Sequence, residues 1–548
     1  MKRILALLLT FGMILSLCAC GQSAPTAQTP PAEETPAPTP EPTPEATPEP
    51  TPDLISPLIE EGRNYYYPAE GEAFDKEKAE ECFTQAAELG SGLAYYYLGE
   101  LVQRSMEEDR YQKALEYYDK AVELGCPLGL LGKGQRYMRG QGVERDYAKA
   151  RELYQQAVDQ GCVEAYCGLG DLYQNGYGVE KDGAAAIDYF TKALEGEEPG
   201  CVNSARTSIG AVYYYGKPGV EKDYTKAKEW FEKAAEAGSA NALFAIGMLY
   251  ENGYGIKQDY AKAKEWYEKA AVAGDSNGMA QIGSLYQNGF GVKQDYTQAM
   301  ECFEKAAEAG LGGAMTNIGG LYYNGYGVKK DYAQAMEWFE KAAAAGNATA
   351  MGWIGALYRD GAGVTKDYFK ALEWFEKAAE AGQAAAMSEI GYFYRNGYGV
   401  TKDYSKAIEW YKKAAEAGSA NAMGMLGNIY YTGEGSISKN LPTAAEWYCK
   451  AAEAGQSIDW FKKADNNSAC LYTVGYMYEK GLQVEQDYVE ALRYFDKAMT
   501  SSTDNGMITM VANHILALFS EGLVDRDTIN NNMTWFKISD EIPSPNAP

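Results

Sequence analysis

The string Ser436-Ile437-Ser438-Lys439 has the S-x-x-K spacing in which a lysine amine readies a serine hydroxyl for acyl transfer. That chemistry also needs the serine at a helix start and S-D-N and K-T-G elements. Here the string falls between helical patterns, and neither element occurs. It reads as a chance match. His514 is the one histidine of 548 residues. A Ser-His-Asp or Cys-His mechanism would have to use it, and a site built from several histidine ligands cannot form. It lies in the apolar segment MITMVANHILALFSEGL and reads as a partly buried cap residue. The 76 acidic residues are spread along the chain without a D-x-D-x-D-G calcium loop. No metal, no other cofactor and no catalytic set are expected.

Eight cysteines lie beyond Cys20: Cys82, Cys126, Cys162, Cys167, Cys201, Cys302, Cys449 and Cys470. An even number in an exported chain suggests disulfides, yet these positions form no repeating pair. Cys82 and Cys302 stand where the repeat described below has tryptophan, and Cys470 where it has a small residue. They read as buried thiols behaving as small hydrophobes. Cys162 and Cys167 are the nearest pair in sequence.

Lys2 and Arg3 precede the apolar run Ile4 to Leu17, too short for a membrane span and arranged as a signal peptide. The end of the run, Leu17-Cys18-Ala19-Cys20-Gly21, resembles the lipobox of bacterial lipoproteins. By that resemblance residues 1–19 are removed and Cys20 carries the lipid, which places the protein outside the cytoplasm on the cell membrane, anchored by more than one acyl chain. Residues 24–53 hold eleven prolines, six acids and no Lys or Arg. Such a stretch has nothing to bury and favours extended polyproline II, a linker reaching roughly 90 Å at about 3.1 Å per residue. The formal net charge is -26. It disfavours nucleic-acid partners and docking on anionic lipid through a basic patch.

What must position any functional residue is a repeat. Asp-Tyr recurs every 36 residues at Asp223-Tyr224, Asp259-Tyr260, Asp295-Tyr296, Asp331-Tyr332, Asp367-Tyr368 and Asp403-Tyr404. In the clearest copy Ala242, Leu243, Ile246, Leu249 and Tyr250 form the stripe of one helix, expected over 242–252. Asn252-Gly253 suits its C-terminus. Asp259 caps a second helix carrying Tyr260, Ala263, Trp266, Tyr267, Ala270 and Ala271 and ending at Gly274. Small residues at Ala242, Gly247, Ala263 and Ala270 let the helices approach closely. A single pair cannot bury both faces, so the units must stack. About eleven units fill 92–502, after a cap and half unit over 54–91 and before capping helices and a tail over 503–548. The spacing widens between Asp182 and Asp223, and QSIDWFKKADNN after Gly455 reads as a decayed second helix.

The pattern A-x-x-x-I-G-x-L-Y-x-N-G-x-G-V-x-x-D-Y-x-K-A-x-E-W-F-x-K-A-A-x-A-G, nearly whole in 242–274, 314–346 and 386–418, resembles the Sel-one-like repeat, a relative of the tetratricopeptide repeat. The resemblance implies an all-α, right-handed α/α solenoid that serves as an adaptor or scaffold, with its first helices lining the concave face. The columns through Ala245 and Met248 vary most between copies and are expected to lie off the apolar stripe, along that face. There Trp353, Glu389, Tyr392 and Met425 fall in consecutive units, with Arg359 and Arg395 one turn on, and Gln281 and Met248 earlier in the same ladder. Aromatic and arginine side chains are what binding hot spots use. The expected function is a non-enzymatic, membrane-anchored scaffold for a protein or peptide of the cell envelope. The alternatives are a binder of wall glycan or peptidoglycan, given the 45 tyrosines, and a weak hydrolase of wall peptides or β-lactams.

Overall fold

The structure, a computed structural model, describes residues 54–66, 74–196, 199–464, 466–534 and 536–539. The signal segment, Cys20 and the proline-rich linker lie outside them. Among the described residues there are 27 helices and no strand beyond the isolated bridge of Lys217 with Val220. None of these helices is long and apolar enough to cross a membrane. The helices alternate as first and second members of successive pairs, the α/α solenoid class, in two compact units that meet in sequence between Gln294 and Asp295.

The copy at 240–272 shows why the sequence folds this way. The first helix, Ala240–Asn252, starts two residues earlier than the apolar stripe suggests, because Ser239 caps it through a bond from the Ala242 amide to Ser239 Oγ at 3.4 Å. Gly253 ends it at φ 70°, the left-handed conformation glycine adopts without strain. Asp259 caps the second helix, Tyr260–Val272, taking the Ala261 and Lys262 amides at 3.1 Å each. The Tyr267 ring is fully buried against Gly247, where a Cβ would lie 2.5 Å from Tyr267 Cε1. That contact is why the first helix carries glycine at this column. Trp266 is only half-buried, contrary to its place in the expected stripe, and Lys269 Nζ sits 4.1 Å from its ring centroid.

Successive repeats are joined by their loops. The second loop glycine of one repeat rests on the first turn of the second helix before it: a Cβ on Gly255 would meet Tyr224 Cβ at 2.8 Å. The aromatic between the two glycines stacks on the same tyrosine, with centroids 4.7 Å apart for Tyr224 and Tyr254, 4.9 Å for Tyr147 and Tyr177, and 4.8 Å for Tyr368 and Tyr398. Part of the tyrosine wealth is thus structural. Ala362 holds that loop position over Tyr332, and Glu434 over Tyr404.

The irregular segments keep the pattern by other means. The extra residues before Cys201 lengthen one first helix to Pro199–Tyr215. The decayed segment is a short helix, Ile458–Lys462, that buries Ile458 and Phe461. The helix Asn505–Ser520 lays Met507, Val511 and Ile515 on the last pair.

Candidate functional site

The second unit contains a cleft of about 430 Å³ along three first helices, Ala348–Asp360, Ala384–Asn396 and Ala420–Thr432. Arg359, Glu389, Tyr392 and Met425 line it, three residues proposed from the variable columns and the arginine one turn on. Arg395 adjoins it through Nη1, 3.7 Å from Met425 Sδ.

Charge in the cleft is internally matched. Arg359 donates Nε and Nη2 to Asp360 at 2.8 and 2.9 Å and Nη1 to Glu389 at 2.7 Å. The bonds to Asp360 raise the Arg359 pKa, and the Arg359 guanidinium holds the Asp360 carboxyl below its usual range. Arg395 gives Nε to Glu434 at 2.8 Å and Nη2 to its other oxygen, a fork that lowers the Glu434 pKa. Tyr392 is 39% exposed, its ring edge-on to Tyr398 at 5.7 Å.

The floor holds the polar group with the least explanation. Tyr411 is 1% exposed and lines the cleft, yet its hydroxyl has no hydrogen-bond partner among the described residues. Burial raises its pKa, and the nearby Arg395 charge opposes that rise without forming a bond of proper geometry. The same column is phenylalanine in many copies. Where it is tyrosine, the hydroxyl elsewhere has a partner: Glu100 for Tyr118 at 2.6 Å, Met138 Sδ for Tyr154 at 3.7 Å, Glu251 for Tyr267 at 2.5 Å and Asn428 for Tyr448 at 2.8 Å. Tyr411 differs because Arg395, in the Glu251 column, turns to Glu434, and Tyr392, in the Asn428 column, turns outward.

The other proposed residues stand apart from this cleft. Trp353 is half-buried and stacks on Phe339 of the preceding pair's second helix, Tyr332–Ala344, with centroids 5.7 Å apart and planes 4° from parallel, so it belongs to the core between two successive pairs. Met248 packs against the core between its own helix and the preceding pair in the first unit, and Gln281 is half-buried near Tyr267. The variable columns are not uniformly on the surface either: Ser208, Ala211 and Ala245 are buried. The expectation that the column is surface fails there, because neighbouring elements close over small side chains. Tyr411, Asn421 and Glu434 escaped the sequence reading. Their signals were a hydroxyl in a mostly phenylalanine column and an acid in place of a loop aromatic.

The remaining chemical candidates take structural places. Ser436 lies in the connection after Thr432, and Lys439 Nζ faces the Tyr431 ring at 5.4 Å. His514 sits between Glu479 Oε2 at 2.5 Å from Nε2 and the Tyr472 hydroxyl at 3.2 Å from Nδ1. No group of three or more potential metal-binding side chains occurs among the described residues. Cys162 Sγ is 3.2 Å from Glu164 Oε2, whereas Cys167 Sγ lies 3.2 Å from Cys201 Sγ, a pair the sequence spacing did not suggest.

The Sel1 repeat family model matches twelve times, from 62–91 and 92–126 through 240–275, 348–383, 384–419 and 420–456 to 468–499. A protective antigen of uropathogenic Escherichia coli strains displaying an SLR fold is 33% identical, covering 82% of this chain and 92% of its own, with a TM-score of 0.38. A Sel1 repeat protein from Oxalobacter formigenes is 35% identical, covering 45% of this chain and 99% of its own, with a TM-score of 0.41. No curated protein matches.

Proposed function

Because the chain belongs to the Sel1 repeat family, whose members generally mediate protein–protein interaction through a scaffold that is typically non-catalytic, we propose that it is a non-enzymatic scaffold which holds a protein or peptide segment of the cell envelope in the cleft of its second unit. In this reading Cys20 carries the lipid, the protein is displayed outside the cytoplasm on the cell membrane, and the proline-rich segment is the tether.

One observation supports this site above any other surface of the second unit: the buried Tyr411 hydroxyl, left without an acceptor on the floor of an open cleft. An unsatisfied buried donor costs about 1–3 kcal/mol. A backbone carbonyl of a bound segment would supply the acceptor while its side chains pack on Met425 and the exposed Tyr392 ring. The tyrosine content gives no support to a wall-glycan reading, since loop tyrosines are occupied by stacking between repeats.

The test places a photo-crosslinking amino acid at Tyr392 and, as a control, at the outward-facing Phe369, and irradiates cells that express the protein. A defined adduct at Tyr392, absent at Phe369 and reduced at least tenfold by Met425→Asp, supports the cleft. Equal adducts at both positions would remove it. Mass spectrometry of the mature N-terminal peptide checks the anchor: an unmodified Cys20 would refute lipidation.

A further inference from the structure

In the first unit one column of the repeat is broken by charge. The position two residues after the packing glycine is Leu101, Leu172, Val212, Leu249, Leu285, Leu321, Leu357, Phe393, Ile429 or Met477 in the other copies from residue 92 onward, and each of these is buried, while the half unit before them has the exposed Asn64 there. In the helix Pro127–Arg139 it is Arg136, only 1% exposed. Its Nε has no hydrogen-bond partner, and among the described residues no carboxylate lies within ion-pair distance of it. Its cationic carbon lies 5.5 Å from the centroid of the Tyr111 ring, and it shares the last turn of its helix with Arg139, where the helix dipole favours positive charge. These contacts soften the cost of burying a guanidinium but leave its Nε unmet.

The surroundings repeat the theme. Arg139 is half-buried and also lacks an ion-pair partner among the described residues. Gln141, in the loop that follows, gives Nε2 to the Tyr111 hydroxyl at 3.3 Å, while its buried Oε1 has no partner. Thus the unmet Nε of Arg136 and the unmet Oε1 of Gln141 gather beside Tyr111. Glu100 is taken by the Tyr118 hydroxyl at 2.6 Å. Burial lifts the Asp171 carboxyl to about 7, against the pull of Arg139, so at mildly acidic pH it does not repel an anion.

We propose that Arg136, Arg139 and Gln141 form a binding site for a carboxylate with an amide N–H beside it, the chemistry of an acylated amino acid or of a peptide's C-terminal residue. The guanidinium donors of Arg136 and Arg139 take the carboxylate oxygens, and Gln141 Oε1 accepts the N–H. Such charge-assisted bonds are strong and directional, and an apolar or cationic ligand would leave the same groups unmet. The site lies in the first unit and does not depend on the cleft of the second.

The experiment uses the full chain and four probes observed by ligand NMR at pH 6: N-acetylglycine, acetate, N-acetylglycinamide, and the tripeptide N-acetyl-Ala-Ala-Ala with a free C-terminus. N-acetylglycine should bind at least tenfold more tightly than acetate, which lacks the N–H, and than the amide, which lacks the carboxylate. A tripeptide that binds tenfold more tightly still identifies a chain end as the ligand; one equal to N-acetylglycine identifies a small acylated acid. Arg136→Leu restores the residue of the other copies and should abolish binding while raising the melting temperature. Gln141→Ala should reduce N-acetylglycine to the level of acetate. The proposal fails if the amide binds as well as the acid, if no probe binds, or if Arg136→Leu binds unchanged. A lower melting temperature in Arg136→Leu also overturns it, because Arg136 would then be meeting its needs within the fold.

Discussion

The two units each place a pair of arginines beside tyrosines on their first helices, and they treat them in opposite ways. In the second unit Arg359 is held by Asp360 and Glu389, and Arg395 by Glu434. In the first, Arg136 is more deeply buried and has no such carboxylate, while the loop position that holds Glu434 holds Gln141 instead. The repeat therefore fixes where a side chain points but not whether its charge is met. Paired arginines shape a cleft whose unmet group is a neutral hydroxyl; unpaired ones leave the demand on charge itself.

The widest separation between the units should come from oxidation. Cys167 and Cys201 tie the helices Ala165–Asn175 and Pro199–Tyr215 of successive repeats. Incubation with oxidised glutathione should transfer both thiol electrons to that disulfide, forming a Cys167–Cys201 bond and two glutathione thiols. The product loses two hydrogen masses and gains about 4 kcal/mol by loop closure. Intact-mass measurement with Cys201→Ser as control would break this expectation if both proteins behaved alike.

Packing separates the units next. An alanine Cβ at Gly134 would come within 2.5 Å of Tyr154 Cε1, but at Gly391 it stays 2.9 Å from Tyr411 Cδ1. Gly134→Ala should cost about 2 kcal/mol and Gly391→Ala less. Reversed urea midpoints would refute the ranking.

Glu434→Ala turns the second unit's Arg395 into the state of Arg136. The loss should be roughly 1–2 kcal/mol, the scale of leaving a partly buried group unmet. If the variant melts no lower than wild type, unmet guanidinium is cheap here and Arg136 loses its meaning. Smaller still is the contrast between Tyr267→Phe, which deletes a bond to Glu251 and should cost about 1 kcal/mol, and Tyr411→Phe, which deletes none and should be neutral or slightly stabilising. Thermal melts of the two would separate them.

Acid sharpens the comparison by sign. Asp171 in the folded first unit binds its proton near pH 7, above its unfolded value of about 3.9. The folded state therefore holds a proton that the unfolded state lacks between those values, and this contribution destabilises increasingly as pH rises. Glu434 and Asp360 are lowered, so their stabilisation is present above the unfolded carboxylate range and lost as pH falls through their folded values. Hydrogen exchange from pH 7 to 5 should show the first unit gaining protection, with Asp171→Asn flattening the trend. An unchanged slope in that variant would contradict it.

Much of the fold was legible because each repeat states it again: the Asp caps, the Gly253-type ends and the period of 36 residues agree with one another and with the helices observed. Glu389, Tyr392 and Met425 were found by the simplest inference, that what varies is not holding the stack, and Arg359 by its place one turn on. The same inference misplaced Trp353, because one column cannot say whether a large ring turns to solvent or onto Phe339. Tyr411 was unreadable for a different reason. Its lack of a partner depends on where Arg395 and Tyr392 point, a fact of several side chains together. Arg136 was in plain view as the one charged letter in an apolar column, and only its burial without a partner gave it significance.

The loop contacts carry a further consequence. Each tyrosine stack links one repeat only to the next, so the second unit resembles a row of latches in series, and a row opens at its weakest latch. Between Tyr332 and the loop that follows, Ala362 offers a methyl group where Tyr326 and Tyr398 offer rings. Pulled or heated, the second unit should part first there. Amides around 361–364 exchanging no faster than those around 397–400 would refute it, and Ala362→Tyr should shut the gap.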